Sequence, residues 1–164
     1  MNLVIFASFF FRLFGVDWES IDQRIAEEFP EVESVSTQQL HSQYQAEFQS
    51  LPIIIDVRAA EEFAVSHLNQ ALNIETGAGV AAQFSDKSAP IIVYCSVGYR
   101  SAGVAAELES LGYSNVKNLQ HSIFEWANRD LPMENAAGDT DLVHPFNRIW
   151  GTLVEPDLHS FQPE

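Results

Sequence analysis

One stretch near the middle of the chain limits the fold more than any other. Pro90-Ile91-Ile92-Val93-Tyr94 is an apolar, β-branched run that ends at Cys95, the single cysteine. Ser96, Val97, Gly98 and Tyr99 follow as a short loop that closes on Arg100. From Ser101 onward, Val104, Ala105, Leu108 and Leu111 recur at helical spacing, and Gly112 is a stop signal. A buried strand that turns through a tight loop into a helix is a unit of an α/β sheet. It sets the loop at the carboxyl end of the strand, where such sheets take their ligands. The first helical turn offers unpaired N–H groups and the positive end of the aligned peptide dipoles, so negative charge is favoured there. A cysteine in that setting is expected as the thiolate, the nucleophilic form, with Arg100 as a nearby positive charge. The competing reading, a small buried hydrophobe, is disfavoured because a loop follows Cys95 instead of more core.

At 164 residues there is room for one domain plus extensions, and 46% apolar residues suffice for a sizeable core. A formal net charge of −15 argues against nucleic acid or an anionic membrane as an electrostatic partner. One cysteine excludes an internal disulfide, an internal resolving thiol and a cysteine-cluster metal site, and slightly favours a reducing, cytoplasmic compartment. His41, His67, His121, His144 and His159 are scattered, with none at metal-ligand spacing. Neither a metal nor a cofactor is therefore expected.

The rest of the chain alternates in the same style. Ile53-Ile54-Ile55-Asp56-Val57 is a continuous run suited to a strand buried on both faces. Short strands are expected at 71–74 and 116–119. Helices are expected over 37–48, where Leu40, Tyr44 and Phe48 share a face behind a Ser36/Gln39 capping box, and over 80–84 and 122–128. Residues 66–70 read as a turn and 77–79 as a flexible connection. The alternation predicts a central, mainly parallel sheet with helices on both faces.

Residues 1–33 are expected to form a helical extension, apolar and then acidic. Residues 34–133 form the domain, and 134–164 a carboxyl-terminal extension that packs on it. Residues 1–16 are too short for a membrane-spanning helix, which needs about 20 residues. Three readings stay open for them: a helix that packs on the domain or a partner, an interfacial membrane anchor, or an atypical export signal. Trp18, Ile21, Ile25 and Phe29 mark a solvated helix with one packed face. Ala136-Ala137-Gly138-Asp139 reads as a linker. The segment 142–151 is too rich in large apolar groups for a disordered tail. It is expected to pack near the loop or the amino-terminal helix, with Phe146 and Trp150 as candidate partner contacts.

These residues resemble the rhodanese family of single-domain sulfurtransferases over about 35–133. Asp56-Val57-Arg58, Glu62-Phe63, His67-Leu68, Ala71 and Asn73-Ile74 are similar to its first signature. Cys95 to Arg100 is similar to the active-site loop. Gly112-Tyr113, Val116, Leu119, Ile123, Trp126 and Leu131-Pro132 are similar to its second signature. Two departures stand out: Ser66 where a glycine is usual, and His121-Ser122 in place of a glycine pair. If the first of that pair has positive φ, histidine there costs ~1 kcal/mol; a solvated loop histidine is the expected placement.

The resemblance implies transfer of a sulfane sulfur from thiosulfate or a persulfide to a thiol or cyanide acceptor, through a persulfide on Cys95. Arg100, with Ser96, Val97, Gly98, Tyr99 and Ser101, would bind the substrate and its charge. Asp56, Arg58 and His67 would support the sheet and loop. A sulfur-relay protein is a candidate partner. The related cell-cycle phosphatases carry a longer loop, with histidine before the cysteine. The tighter ring here suits one sulfur better than a transferring phosphate. The runner-up function is a non-enzymatic rhodanese-like module that binds a partner or relays sulfur.

Overall fold

The computed structural model describes residues 15–46 and 51–163. The elements run α1 (Trp18–Glu28), β1 (Ser34–Val35), α2 (Thr37–Gln45), β2 (Ile53–Asp56), α3 (Ala60–Val65), β3 (His67–Leu68) and β4 (Leu72–Asn73). There follow α4 (Gly77–Gln83), β5 (Ile91–Tyr94), α5 (Tyr99–Ser110), β6 (Val116–Leu119), α6 (Ser122–Asn128), β7 (Met133–Asn135) and β8 (Gly138–Thr140). The tail ends in two 3₁₀ turns, Trp150–Leu153 and Pro156–Leu158. The apolar segment 1–14 and the far end of the helix expected through Phe48 lie outside the described residues. No helix of the described residues is long and apolar enough to cross a membrane.

Five parallel strands form the main sheet in the order β1-β6-β5-β2-β4. β5 sits at its centre and pairs with β2 from Ile53↔Ile91 to Asp56↔Tyr94. Side chains alternate across the sheet. Ile55, Ile91 and Val93 therefore pack with Val80 of α4 and Val104, Ala105 and Leu108 of α5. Ile54, Ile92 and Tyr94 pack on the other face with Ile21, Leu40, Ile123, Phe124 and Trp126, from α1, α2 and α6. Each large side chain so buried contributes about 1.5–3 kcal/mol. These two layers fix the end of β5, and with it Cys95, between α5 and α6.

Helix starts follow local chemistry. Asp17 caps α1 and Ser36 caps α2, each in a reciprocal capping box, with Ser20 and Gln39 respectively. The expected flexible link at 77–79 is the first turn of α4, because the Thr76 hydroxyl accepts the Gly79 N–H. The expected turn at 66–70 contains β3, which pairs antiparallel with β7. Likewise Ala136-Ala137 is the tip of the β7–β8 hairpin and not a linker, with the Ala137 N–H held by the Asn135 side chain. Beyond it the chain folds back: Val143 and Val154 are buried in the core and Val143 bridges to His159.

Candidate active site

Cys95 follows the last residue of β5 and is 1% exposed. The start of α6 holds its backbone. The Cys95 N–H donates to the Ser122 hydroxyl at 3.1 Å, and the Ser122 hydroxyl donates to the Leu119 carbonyl at 2.9 Å. The carbonyls of Cys95 and Ser96 accept the N–H groups of Ile123 and Phe124. Four intervening residues then turn back to Arg100 through Gly98, whose φ of +102° only glycine adopts freely. That turn aims the Gly98 N–H at the Cys95 Sγ, 3.2 Å away. Gly98 is also the amino-terminal cap of α5, which begins at Tyr99, two residues earlier than its apolar spacing indicates.

A buried polar triangle backs the sulfur. Asn118 of β6 donates to the Gly98 carbonyl at 2.9 Å and accepts the Ser101 hydroxyl at 2.7 Å. The same hydroxyl lies 3.5 Å from the sulfur. The arrangement directs the Gly98 N–H at the sulfur as a donor, while the Ser101 hydroxyl, its proton given to Asn118, stands beside the sulfur at the edge of hydrogen-bonding distance.

Around it lies an ionic frame. Arg100 meets Glu62 of α3 with both terminal nitrogens, at 2.9 and 3.1 Å, and also donates to the Ser96 hydroxyl. The Ser96 hydroxyl donates in turn to Glu62. Burial lowers the Arg100 pKa, but the hydrogen bond to Glu62 and the charges of Cys95 and Glu62 outweigh it, so the net direction is upward. One layer deeper, Arg58 grips Asp56 at 2.7 Å with both side chains fully buried, and donates to the Ser66 carbonyl. His67 stacks on Phe63 at 3.8 Å, bonds its carbonyl and stands 3.9 Å from Glu134.

The residues singled out from the sequence thus fall into two groups. Cys95, Ser96, Gly98, Arg100 and Ser101 converge on the loop. Asp56, Arg58 and His67 stand behind it. Val97 is buried in the core. Tyr99 turns away to α1, where its hydroxyl meets Glu28 and Arg24 lies over its ring. His121 has the left-handed backbone expected of a glycine replacement, but it is not a solvated loop residue. Its ring lies 4.3 Å from Trp18 and bonds Asp22 of α1, because the acidic helix supplies both an aromatic and a carboxylate there. Glu62, Asn118 and Ser122 were not read from the sequence as site residues. Glu62 carried one signal, its place in the Glu62-Phe63 pair that resembles the first signature. Among the described residues no group of His, Cys, Asp and Glu is arranged to hold a metal ion.

Known proteins resemble this chain in sequence and in fold. The model of the rhodanese-like domain matches residues 36–129, more than half of the chain. The thiosulfate sulfurtransferase GlpE of Actinobacillus succinogenes is 34% identical over 87 residues, 52% of this chain and 78% of that protein. The thiosulfate sulfurtransferase PspE of Escherichia coli is 34% identical over 77 residues, 42% of this chain and 74% of that protein. Among solved structures, the rhodanese-like domain of the Anabaena sp. Alr3790 protein superposes with a TM-score of 0.56. That match is 21% identical and covers 62% of this chain and 78% of that one, which speaks to the fold. The chain belongs to the rhodanese-like domain family.

Proposed function

We propose that this rhodanese-type sulfurtransferase carries a sulfane sulfur as a persulfide on Cys95, taken from thiosulfate or a persulfide and passed to a thiol or cyanide. The observation that carries the reading is the Gly98 N–H aimed at the Cys95 sulfur where β5 turns into α5. In the first step the Cys95 thiolate attacks the outer sulfur of thiosulfate. The S–S bond of the donor breaks and sulfite leaves with the bonding pair. The negative persulfide then sits under the Gly98 N–H. In the second step cyanide or a thiolate attacks the outer sulfur, thiocyanate or a new persulfide departs, and the Cys95 thiolate is restored. Double displacement of this kind gives ping-pong kinetics. Arg100 acts first as the frame that shapes the loop, since its nitrogens are engaged by Glu62 and Ser96. Asp56, Arg58 and His67 position the sheet end and α3. The catalytic unit is residues 34–133, flanked by the extensions 1–33 and 134–164, of which α1 meets Tyr99 and Phe146 meets Arg100. A reducing, cytoplasmic compartment suits a carrier that returns to a free thiol. Cys95→Ser is expected to remove thiosulfate:cyanide turnover with an unchanged circular dichroism spectrum; turnover retained in that variant contradicts the assignment.

A further inference from the structure

The carboxyl-terminal extension brings to the loop a residue that lies beyond the matched family span. Phe146 has φ +63°, and the Asn147 N–H bonds back to the Pro145 carbonyl at 2.7 Å. The three residues thus make a γ-turn with a positive-φ centre, a rare and strained turn. For a bulky aromatic residue that backbone costs free energy. Burial does not offset the cost, because Phe146 is 43% exposed. The turn is nevertheless built and held. The Phe146 N–H donates to Nδ1 of the buried His144 at 3.1 Å, and Phe161 sets its ring edge against the same histidine. Burial lowers the His144 pKa, which keeps that nitrogen able to accept.

What the strain secures is a position. The Phe146 ring lies 5.0 Å from the guanidinium carbon of Arg100, on the loop that carries Cys95. Arg100 is already held by Glu62 and Ser96, so its charge is largely balanced within the loop. The surface presented beside the loop is then an aromatic ring, which suits contact with carbon better than contact with an inorganic ion.

We infer that Phe146 is a specificity-determining residue whose ring packs against the carbon body of an organic thiol or persulfide, favouring such sulfur acceptors over small inorganic anions. The inference rests on Cys95 being the persulfide carrier proposed above.

The test loads the full-length protein, Phe146→Gly and Phe146→Leu with thiosulfate, removes the excess, and follows discharge by benzyl mercaptan and by cyanide. In the thiol reaction benzyl thiolate bonds the outer sulfur, the S–S bond to Cys95 breaks, and benzyl persulfide leaves as the Cys95 thiolate re-forms. The ratio of second-order constants, benzyl mercaptan over cyanide, is expected to fall about five- to tenfold in Phe146→Gly, and by less in Phe146→Leu. Glycine relieves the turn, so the thermal midpoint of Phe146→Gly is expected to be no lower than that of the natural protein. A ratio within about twofold of the natural value in both variants, or a raised ratio, overturns the inference. If the natural protein takes up no sulfur at all, the carrier reading fails and the inference with it. Normal loading with an unchanged ratio removes this inference alone.

Discussion

Glu62 is a buried carboxylate kept ionised by its neighbours. Burial pushes its pKa up, but the hydrogen bonds and charge of Arg100, with Arg58, outweigh that and hold it below the ordinary carboxylate value. A folded pKa below the unfolded one gives stability that is present above about pH 4.5 and lost as the pH falls through the folded value. Glu62→Gln leaves Arg100 without its counter-charge. The Arg100 side chain is 38% exposed, so screening by solvent limits the cost to about 1–2 kcal/mol, less than for a sealed pair. Urea denaturation should show that loss at neutral pH and a smaller gap in acid; equal stability at neutral pH would contradict this account of the pair. Ser122 poses a sharper contrast. It has φ +49° and is fully buried, and its hydroxyl accepts the Cys95 N–H. Ser122→Ala keeps the strained backbone and orphans a buried N–H, at a cost of about 1–3 kcal/mol. Ser122→Gly orphans the same N–H but relieves the left-handed backbone by about 1 kcal/mol. The glycine variant should therefore be the more stable of the two in denaturation, and the reverse order would show that the backbone is not strained there.

At the scale of elements, α1 is fastened to the catalytic unit at two points: His121 with Trp18 and Asp22, and Tyr99 with Glu28 and Arg24. His121→Gly removes the first fastening and relaxes a left-handed residue. Amide exchange across α1 should accelerate while β2 and β5 keep their protection; unchanged exchange in α1 would show that the ring contacts do not hold the helix. The strands at Ile53–Asp56 and Ile91–Tyr94 were legible in the sequence because β-branched propensity and two-sided burial agree there, and Val116–Leu119 from its place in the alternation of strands with helices. β3 was not legible because its pairing joins residues far apart in the chain, as His67 with Glu134, whereas the β7–β8 hairpin is local, Glu134 with Asp139, but has no β-branched run to mark its strands. The loop itself was legible from the Cys95-to-Arg100 spacing and the helix after it. Its supports were less so. Glu62 meets Arg100 across the fold, and Asn118 and Ser122 reach the loop from β6 and the start of α6, so only tertiary packing identifies them. The start of α5 at Tyr99 was misplaced for a local reason, since Gly98 caps with its backbone and has no side chain to signal the role.

For the whole molecule, a rhodanese-like unit carries its loop between two extensions, α1 against Tyr99 and the tail turn against Arg100. The chain holds a net charge of −15, yet the buried loop sets the Gly98 N–H against one sulfur. Solvent screens surface charges beyond about 8–10 Å, so the groups in contact with the sulfur form its immediate electrostatic environment. The function proposed above requires this sulfur to carry a second sulfur. The most direct test is the intact mass of the protein after incubation with thiosulfate and desalting, with and without a thiol reductant. The expected result is a gain of one sulfur atom that the reductant removes and that Cys95→Ala lacks. No gain from thiosulfate or from a low-molecular-weight persulfide, or an equal gain in Cys95→Ala, would contradict it.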